Sequence, residues 1–379
     1  MKLNQKYKLI IIFLLSIISF ISILKSFNDA QKISFDFHFS PTKLVSEGIN
    51  HYQYILEGKH DDGPNDKIMY DQNGNYAQGL FVMLIPFTLF EWDNAKLMWS
   101  ILNILIGILI PLLLSKKFKL DNFKTFLICA IFYTSTIFRI HIGYGQQTLL
   151  MFIFLILPFL KLNSFNIMLS GIAYFKYNIG YGLFLYLISL RNIKYLLLSI
   201  IPLLIGWISY CFITNTNLIT NIFEPIKVIL FWNSEENHFP VTIFSTLKYL
   251  ELNSITVLLT PLIISFFLIN KVKLIEDDLK KLSLICLSIL AFAPHQLHDY
   301  VLLVPLLIYS FKNINFIISK INLIFILYFF YFLRIISYVY GVQPWEFPYG
   351  LFGYINNLLT IFILIINIFF NQRLILKKI

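Results

Sequence analysis

The sequence predicts an all-α, polytopic membrane protein, and three observations carry that prediction. Hydrophobic residues make up 58% of the chain and charged residues 13%, with a mean hydropathy of +0.74. A soluble domain of 379 residues has no use for so much apolar surface. The apolar segments are runs of Leu, Ile and Phe without two-residue alternation, so helices are expected rather than a β-barrel. The cations also fall on one side of the topology those runs imply. The inner segments hold 19 of the 30 Lys and Arg and four of the 20 acids, a balance of +15. The other segments hold 11 and 16, a balance of −5. Positive loops stay inside, so the net charge of +10 is a topology signal facing anionic lipid rather than a nucleic-acid surface.

Taken in order, spans are expected at about 9–24, 95–115, 123–140, 147–160, 164–176, 178–190, 195–214, 253–270, 282–294, 298–311, 321–338 and 351–370. That makes about twelve transmembrane helices with both termini cytoplasmic. The first run has no small-residue cleavage site after it and reads as a retained anchor. A full crossing needs ~20 residues, so the shorter segments must be tilted, broken or half-buried in protein. Residues 77–90 are apolar but short, and Pro86 interrupts them. As a crossing they would put Lys116, Lys117, Lys119 and Lys124 outside, so an interfacial or re-entrant helix on the outer face is expected. Cys129, Cys211 and Cys286 lie in apolar runs and read as packing residues, with no disulfide or metal framework.

The chain reads as one integral-membrane domain, 1–379. Its non-membrane mass lies outside, in a large first loop at 25–94 carrying interfacial helices and a second loop at 215–250. A chain that places its polar residues on one face works there.

The first outer loop opens with Ser34-Phe35-Asp36-Phe37-His38-Phe39. A carboxylate at the membrane surface is where an enzyme drawing substrate from lipid would set a base. Phe35 and Phe37 are expected to hold this loop to the interface and partly desolvate Asp36. Glu47, His51, Tyr52 and Tyr54 suit one short surface helix. Asp61 and Asp62 read as solvated loop charges, near turn signals at Gly63-Pro64 and Asn73-Gly74.

Three further polar clusters interrupt apolar sequence. Lys176 sits midway along a 27-residue apolar stretch. An intramembrane lysine costs ~2.5–3.5 kcal/mol even on the lenient scale, so it is a functional candidate unless it forms the tip of a tight outer hairpin. Either way it is expected on the outer face, able to meet a phosphate as a point charge. Arg139 to Gln147 is expected to be an outer connection, where Gly143 and Gly145 allow close approach to a ligand and Gln146 and Gln147 suit sugar hydroxyls. His141 lies within it. The turn Pro294 to Tyr300 offers His295, His298 and Asp299. Two His with one Asp lack a further ligand cluster, so phosphate or hydroxyl contacts are expected there rather than a metal. The loops at Phe231–His238 and Gln343–Glu346 supply Trp and carboxylates, which fit an aromatic belt or a sugar-stacking surface. No nucleotide-binding motif or nucleophile elbow is present in the sequence.

In their order these features resemble glycosyltransferase family 87, the polyprenyl-phosphate-mannose-dependent group of the GT-C superfamily. The matching features are the Asp36 region after the first span, then Tyr76 to Trp99 with Pro86 and Ala95. Gly145-Gln146 before an apolar run follows, then Gly171 with Lys176, and last Pro294 with His298-Asp299-Tyr300. The chain has Ala77 and Gln78 where the family usually has paired prolines. Tyr177 follows its lysine where the family often has Pro.

The resemblance implies a GT-C-like fold in a bacterial cytoplasmic membrane. It also implies inverting transfer of a hexose, mannose being the first choice, from a polyprenyl-phosphate sugar to a lipid-linked or glycan acceptor. Asp36 would be the general base. Lys176, Arg139 and His298 would meet the donor phosphate, with His141, Gln146, His295, Asp299 and Tyr52 binding substrate. No cofactor is expected. The rival readings are a polysaccharide polymerase or ligase, which would place its large outer loop late, and a lipid or solute transporter, which would bury polar residues near the midplane.

Overall fold

The computed structural model describes residues 5–59, 74–235, 254–339 and 351–369. Among them every regular element is helical. The chain enters through α1 (Gln5–Lys32) and then turns through the short helices α2 (Phe39–Ser46), α3 (His51–Leu56) and α4 (Gln78–Leu84). The next block is α5 (Trp92–Lys117), α6 (Asn122–Tyr133), α7 (Thr136–Tyr144), α8 (Thr148–Leu160) and α9 (Ser164–Ser170). It continues as α10 (Tyr177–Ser189), α11 (Ile193–Ile213), α12 (Leu218–Asn221) and α13 (Glu224–Glu235). The last described helices are α14 (Ser254–Val272), α15 (Asp278–Phe292), α16 (Val304–Lys312), α17 (Ile317–Leu327), α18 (Leu333–Val339) and α19 (Leu351–Phe369).

Among the described residues three helices, α1, α5 and α11, are long and apolar enough to cross a membrane, and α6 with α7 makes a fourth if that bent pair is one span. Their outer faces fit lipid contact: Phe13 is 66% exposed, Phe20 62% and Phe212 88%. Helices also occupy the other segments where crossings were expected, but several are shorter. Examples are Thr148–Leu160 and Ser164–Phe175. The expected span at 123–140 is not straight. Ser135 accepts from the Phe138 amide at 3.1 Å and starts a new helix, bent 57° from the one before.

The core centres on α15, whose side chains are buried along nearly its whole length against α10, α14, α16 and α19. On the other flank α4 rests on α11 through two glycines. A Cβ at Gly206 would lie 2.5 Å from the Gly79 Cα, so neither position tolerates a side chain without movement. This contact, with the Ala77 amide donating to the Phe175 carbonyl at 3.1 Å, sets α4 beside Lys176. The 77–90 segment is helical, α4 followed by a 3-10 turn, Ile85–Leu89, with Pro86 as its second residue.

The first loop differs from expectation in two ways. α1 runs on to Lys32, beyond the apolar run that ends near 24. The single helix expected around Glu47–Tyr54 is two, because Gly48 takes φ +80° and Asn50 caps a new helix by accepting from the Tyr52 amide at 3.1 Å. Cys129, Cys211 and Cys286 are free and buried. Asp61, Asp62, the Gly63-Pro64 turn, residues 236–238 and the Gln343–Glu346 loop lie outside the described residues, as do the side chains of Trp232 to Glu235.

Candidate functional site

Asp36 sits on a single 3-10 turn, Phe35–Phe37, that follows α1. The turn is flanked by two non-glycine residues in the left-handed region, Ser34 at φ 44° and His38 at φ 58°. Such residues cost about 1 kcal/mol or more each and persist only where the surroundings hold them. Here Ser34 donates from its amide to the Gly143 carbonyl at 3.0 Å and from Oγ to Ala30 at 2.6 Å. Phe37 stacks on Trp99 at 4.9 Å and 11°, and the Trp99 indole donates to the Gly145 carbonyl at 2.7 Å. Phe37 is therefore a buried core residue, while Phe35 is left 44% exposed.

Gly145 explains how this turn comes so close. It ends α7 at φ +71°, and a Cβ there would stand 3.3 Å from the Phe37 Cβ and the Ser34 Oγ. The close approach expected for a ligand is used by the Asp36 turn itself.

The two residues after Gly145 hold Asp36 at two points. Gln146 Nε2 donates to the Asp36 carboxylate, and Gln147 Nε2 donates to the Asp36 backbone carbonyl. On its far side the Gln146 Oε1 accepts from Lys176 Nζ at 3.1 Å. Lys176 also donates to Thr148 Oγ1 at 2.7 Å and to Asp299 Oδ1 at 3.0 Å. The Thr148 hydroxyl in turn donates a hydrogen bond to Asp299 Oδ1. The other Asp299 oxygen accepts the Gln296 amide at 3.3 Å. Asp36 and Lys176, 140 residues apart in sequence, are thus joined through one side chain.

Lys176 is placed by a break in the apolar stretch. A 3-10 turn, Gly171–Phe175, gives way to α10 at Lys176 itself, and the side chain turns wholly inward at 0% exposure. Its ammonium has three N–H groups and three protein acceptors. The point-charge contact to a phosphate expected from sequence would require one of these to be released. The ammonium also lies 5.4 Å from the Tyr76 ring centroid, and the His38 ring meets Tyr76 edge-on at 5.0 Å. Burial first, then the Lys176 charge, pushes the His38 imidazole down to about 3, so it is neutral at physiological pH.

The other expected site residues divide into near and far. His298 Nε2 lies 3.7 Å from Asp299 Oδ1, and the His141 ring stands 6.4 Å from that of His298. His141 is in α7 rather than a polar connection, is fully buried, and accepts the Leu149 amide at 3.4 Å. His295 donates to the Ala293 carbonyl at 3.1 Å and packs on Tyr300. Arg139 is outside the cluster: its Nε pairs with Asp29 of α1 at 2.5 Å. Tyr52 is also apart. It is buried with Phe81 and Tyr210, and its hydroxyl donates to the Tyr76 carbonyl at 2.6 Å.

Thr148 and His38 join the site without having been singled out as site residues, and Gln147, expected to suit sugar hydroxyls, holds the Asp36 backbone carbonyl instead. Thr148 is the first residue of α8, directly after two glutamines; that adjacency is the one local signal for it. Four polar atoms near the cluster, His38 Nδ1, His141 Nδ1, Gln147 Oε1 and Asn178 Oδ1, are buried without hydrogen-bond partners among the described residues. Buried polar atoms left unpaired cost free energy, and a ligand rich in hydroxyls would offer partners. Among the described residues no group of three His, Cys, Asp or Glu side chains is arranged to hold a metal ion.

The site therefore offers a half-buried Asp36 whose carboxylate is held by Gln146 and whose backbone carbonyl is held by Gln147, with a buried ion pair behind it and the neutral His38 imidazole beside Tyr76. Comparison with family models, curated proteins and solved structures finds no match for this chain.

Proposed function

We propose that the chain is a membrane glycosyltransferase of about twelve crossings, with both termini cytoplasmic and its site on the outer face of a bacterial cytoplasmic membrane. It moves a hexose, mannose first, from a polyprenyl-phosphate carrier to a lipid-linked or glycan acceptor. The observation that carries this reading is the Gln146 bridge, which joins Asp36 to Lys176 from elements far apart in sequence. It supports the reading by bringing together two residues that the resemblance to family 87 implies share a site.

In this scheme Asp36 takes the proton of the acceptor hydroxyl. The acceptor oxygen bonds to the anomeric carbon as the bond to the phosphate oxygen breaks. The electron pair leaves on the polyprenyl phosphate, and the anomeric configuration inverts. His298, beside Asp299 in the cluster, is the group for the leaving phosphate, while Arg139 stands outside it, paired with Asp29.

The test is transfer of radiolabelled sugar from a panel of polyprenyl-phosphate sugars in membranes containing the protein. Asp36→Asn should lower the rate by ~10²–10⁴, the usual worth of a general base. Unchanged transfer by that variant, at equal expression, would remove the base assignment. One observation favours a second reading. The Lys176–Asp299 pair is buried on both sides, as the polar centre of a transporter would be. Lipid flipping or solute uptake by purified protein in liposomes, without sugar transfer, would select that reading.

A further inference from the structure

Lys176 looks from sequence like a phosphate ligand, yet all three of its protons are committed to protein acceptors. We propose that Lys176 is a positioning residue that acts on Asp36 through Gln146, and that Asp299 and Thr148 in turn hold Lys176. This deepens the reading above and, as a statement about catalysis, rests on it.

The argument is one of donors and acceptors. An ammonium only donates, so the Gln146 atom facing Lys176 must be the carbonyl oxygen. The amide nitrogen then faces Asp36. The flipped amide would set its NH₂ against the ammonium and its oxygen against the carboxylate, two repulsive contacts in place of two bonds. Lys176 therefore decides which end of Gln146 meets Asp36. An N–H donor there favours the ionised carboxylate, the form a general base needs. Gln147 removes a second freedom by holding the Asp36 carbonyl, so backbone and side chain are fixed from adjacent residues. Asp299 balances the Lys176 charge, which lets the ammonium stay buried without a substrate anion. The other titratable groups that face Asp36 are Tyr144 of α7, whose ring lies 6.4 Å from that of Phe35, and Tyr76. Neither carries charge at neutral pH, and His38 is neutral as well.

The test is an infrared pH titration of the full-length protein in lipid bilayers. The protonated-carboxyl band that Asp36→Asn removes, measured in each background, reports the titration of Asp36 whatever the chain transfers. Gln146→Glu is near-isosteric. It keeps an acceptor for Lys176 and replaces the donor facing Asp36 with a like charge. It should move the Asp36 midpoint to higher pH by on the order of one unit or more.

Lys176→Met combined with Asp299→Asn leaves net charge unchanged and frees the amide. It should move the midpoint in the same direction, and transfer should lose kcat by on the order of tenfold with an unchanged KM for undecaprenyl-phosphate mannose. Midpoints equal to wild type in both variants would overturn the proposal. So would a Lys176→Met variant that raises KM for the donor lipid and leaves the Asp36 midpoint alone, because Lys176 would then be a phosphate ligand. Full transfer by Asp36→Asn would instead remove the glycosyltransferase base and leave the infrared result standing, so the two failures are distinct.

Discussion

Lys176 and Asp299 form an ion pair at 3.0 Å with side chains 0% and 2% exposed, and that burial sets what each substitution must cost. Lys176→Met strands a carboxylate in an apolar interior and should destabilise the protein by about 3–5 kcal/mol. Lys176→Met with Asp299→Asn removes both charges and should recover most of that loss. Thermal unfolding of the purified variants checks the pair of outcomes. At this scale sequence reading was strong on candidates and weak on roles. A lysine within an apolar run and an aspartate after a first span are visible because water normally claims both. Their partners are not visible, because a hydrogen bond between positions 148 and 299 leaves no local pattern. Arg139 illustrates the same limit: nothing near it in sequence reveals that Asp29 takes its Nε.

Among elements, the turn that carries Asp36 is held by what α7 and α5 present to it. Gly145 is in the left-handed region and touches the turn closely, so Gly145→Ala adds backbone strain and a tight contact together. It should cost about 1 kcal/mol or more in stability and, by displacing Asp36, a larger share of activity. Equal transfer by that variant would separate the turn from the reaction. A second lock ties α3, α4 and the α12–α13 turn. Glu224 accepts from Asn50 at 2.8 Å, Gln53 at 3.0 Å and Asn221 at 2.5 Å, while Gln78 donates to the Asn221 carbonyl at 2.9 Å. A carboxylate only accepts, so it suits three amide donors. Glu224→Gln brings an NH₂ against them and should cost about 1.5–3 kcal/mol, read by denaturation. Helix existence was legible from the apolar runs, since those must be helical in lipid. The break at Ser135 and the division of α2 from α3 were not, because caps and left-handed residues set boundaries that hydropathy does not register.

Across the whole molecule, the first loop carries a pH dependence. Burial pushes His51 down to about 3 against an ordinary 6.5, with the Gly74 carbonyl opposing and His38 adding to the depression. His38 is lowered likewise. In both cases the unfolded chain binds a proton that the folded one refuses. Stability is thus fully present above about 6.5 and falls as pH drops toward 3, by about 1.4 kcal/mol per unit for each histidine. His51→Gln should flatten that slope in a melting series across the interval. The His51 ring sits between two partners: Nε2 donates to the Gly74 carbonyl at 3.0 Å, and Nδ1 lies 2.9 Å from the Tyr210 hydroxyl, which itself donates to Asn50 Oδ1 at 2.9 Å. Fold class was legible from composition because a lipid solvent demands it. The number of crossings was less so, since among the described residues three helices, or four with the bent pair, reach the needed length and the other apolar helices are shorter.

The bridge through Gln146 also bears on how this chain can drift over generations. Asp36, Gln146, Lys176 and Asp299 each face a neighbour whose hydrogen-bonding sense is the opposite of their own. A change at one is tolerable only with a compensating change at the next, so among descendants these four positions should covary rather than vary singly, 176 and 299 most tightly of all.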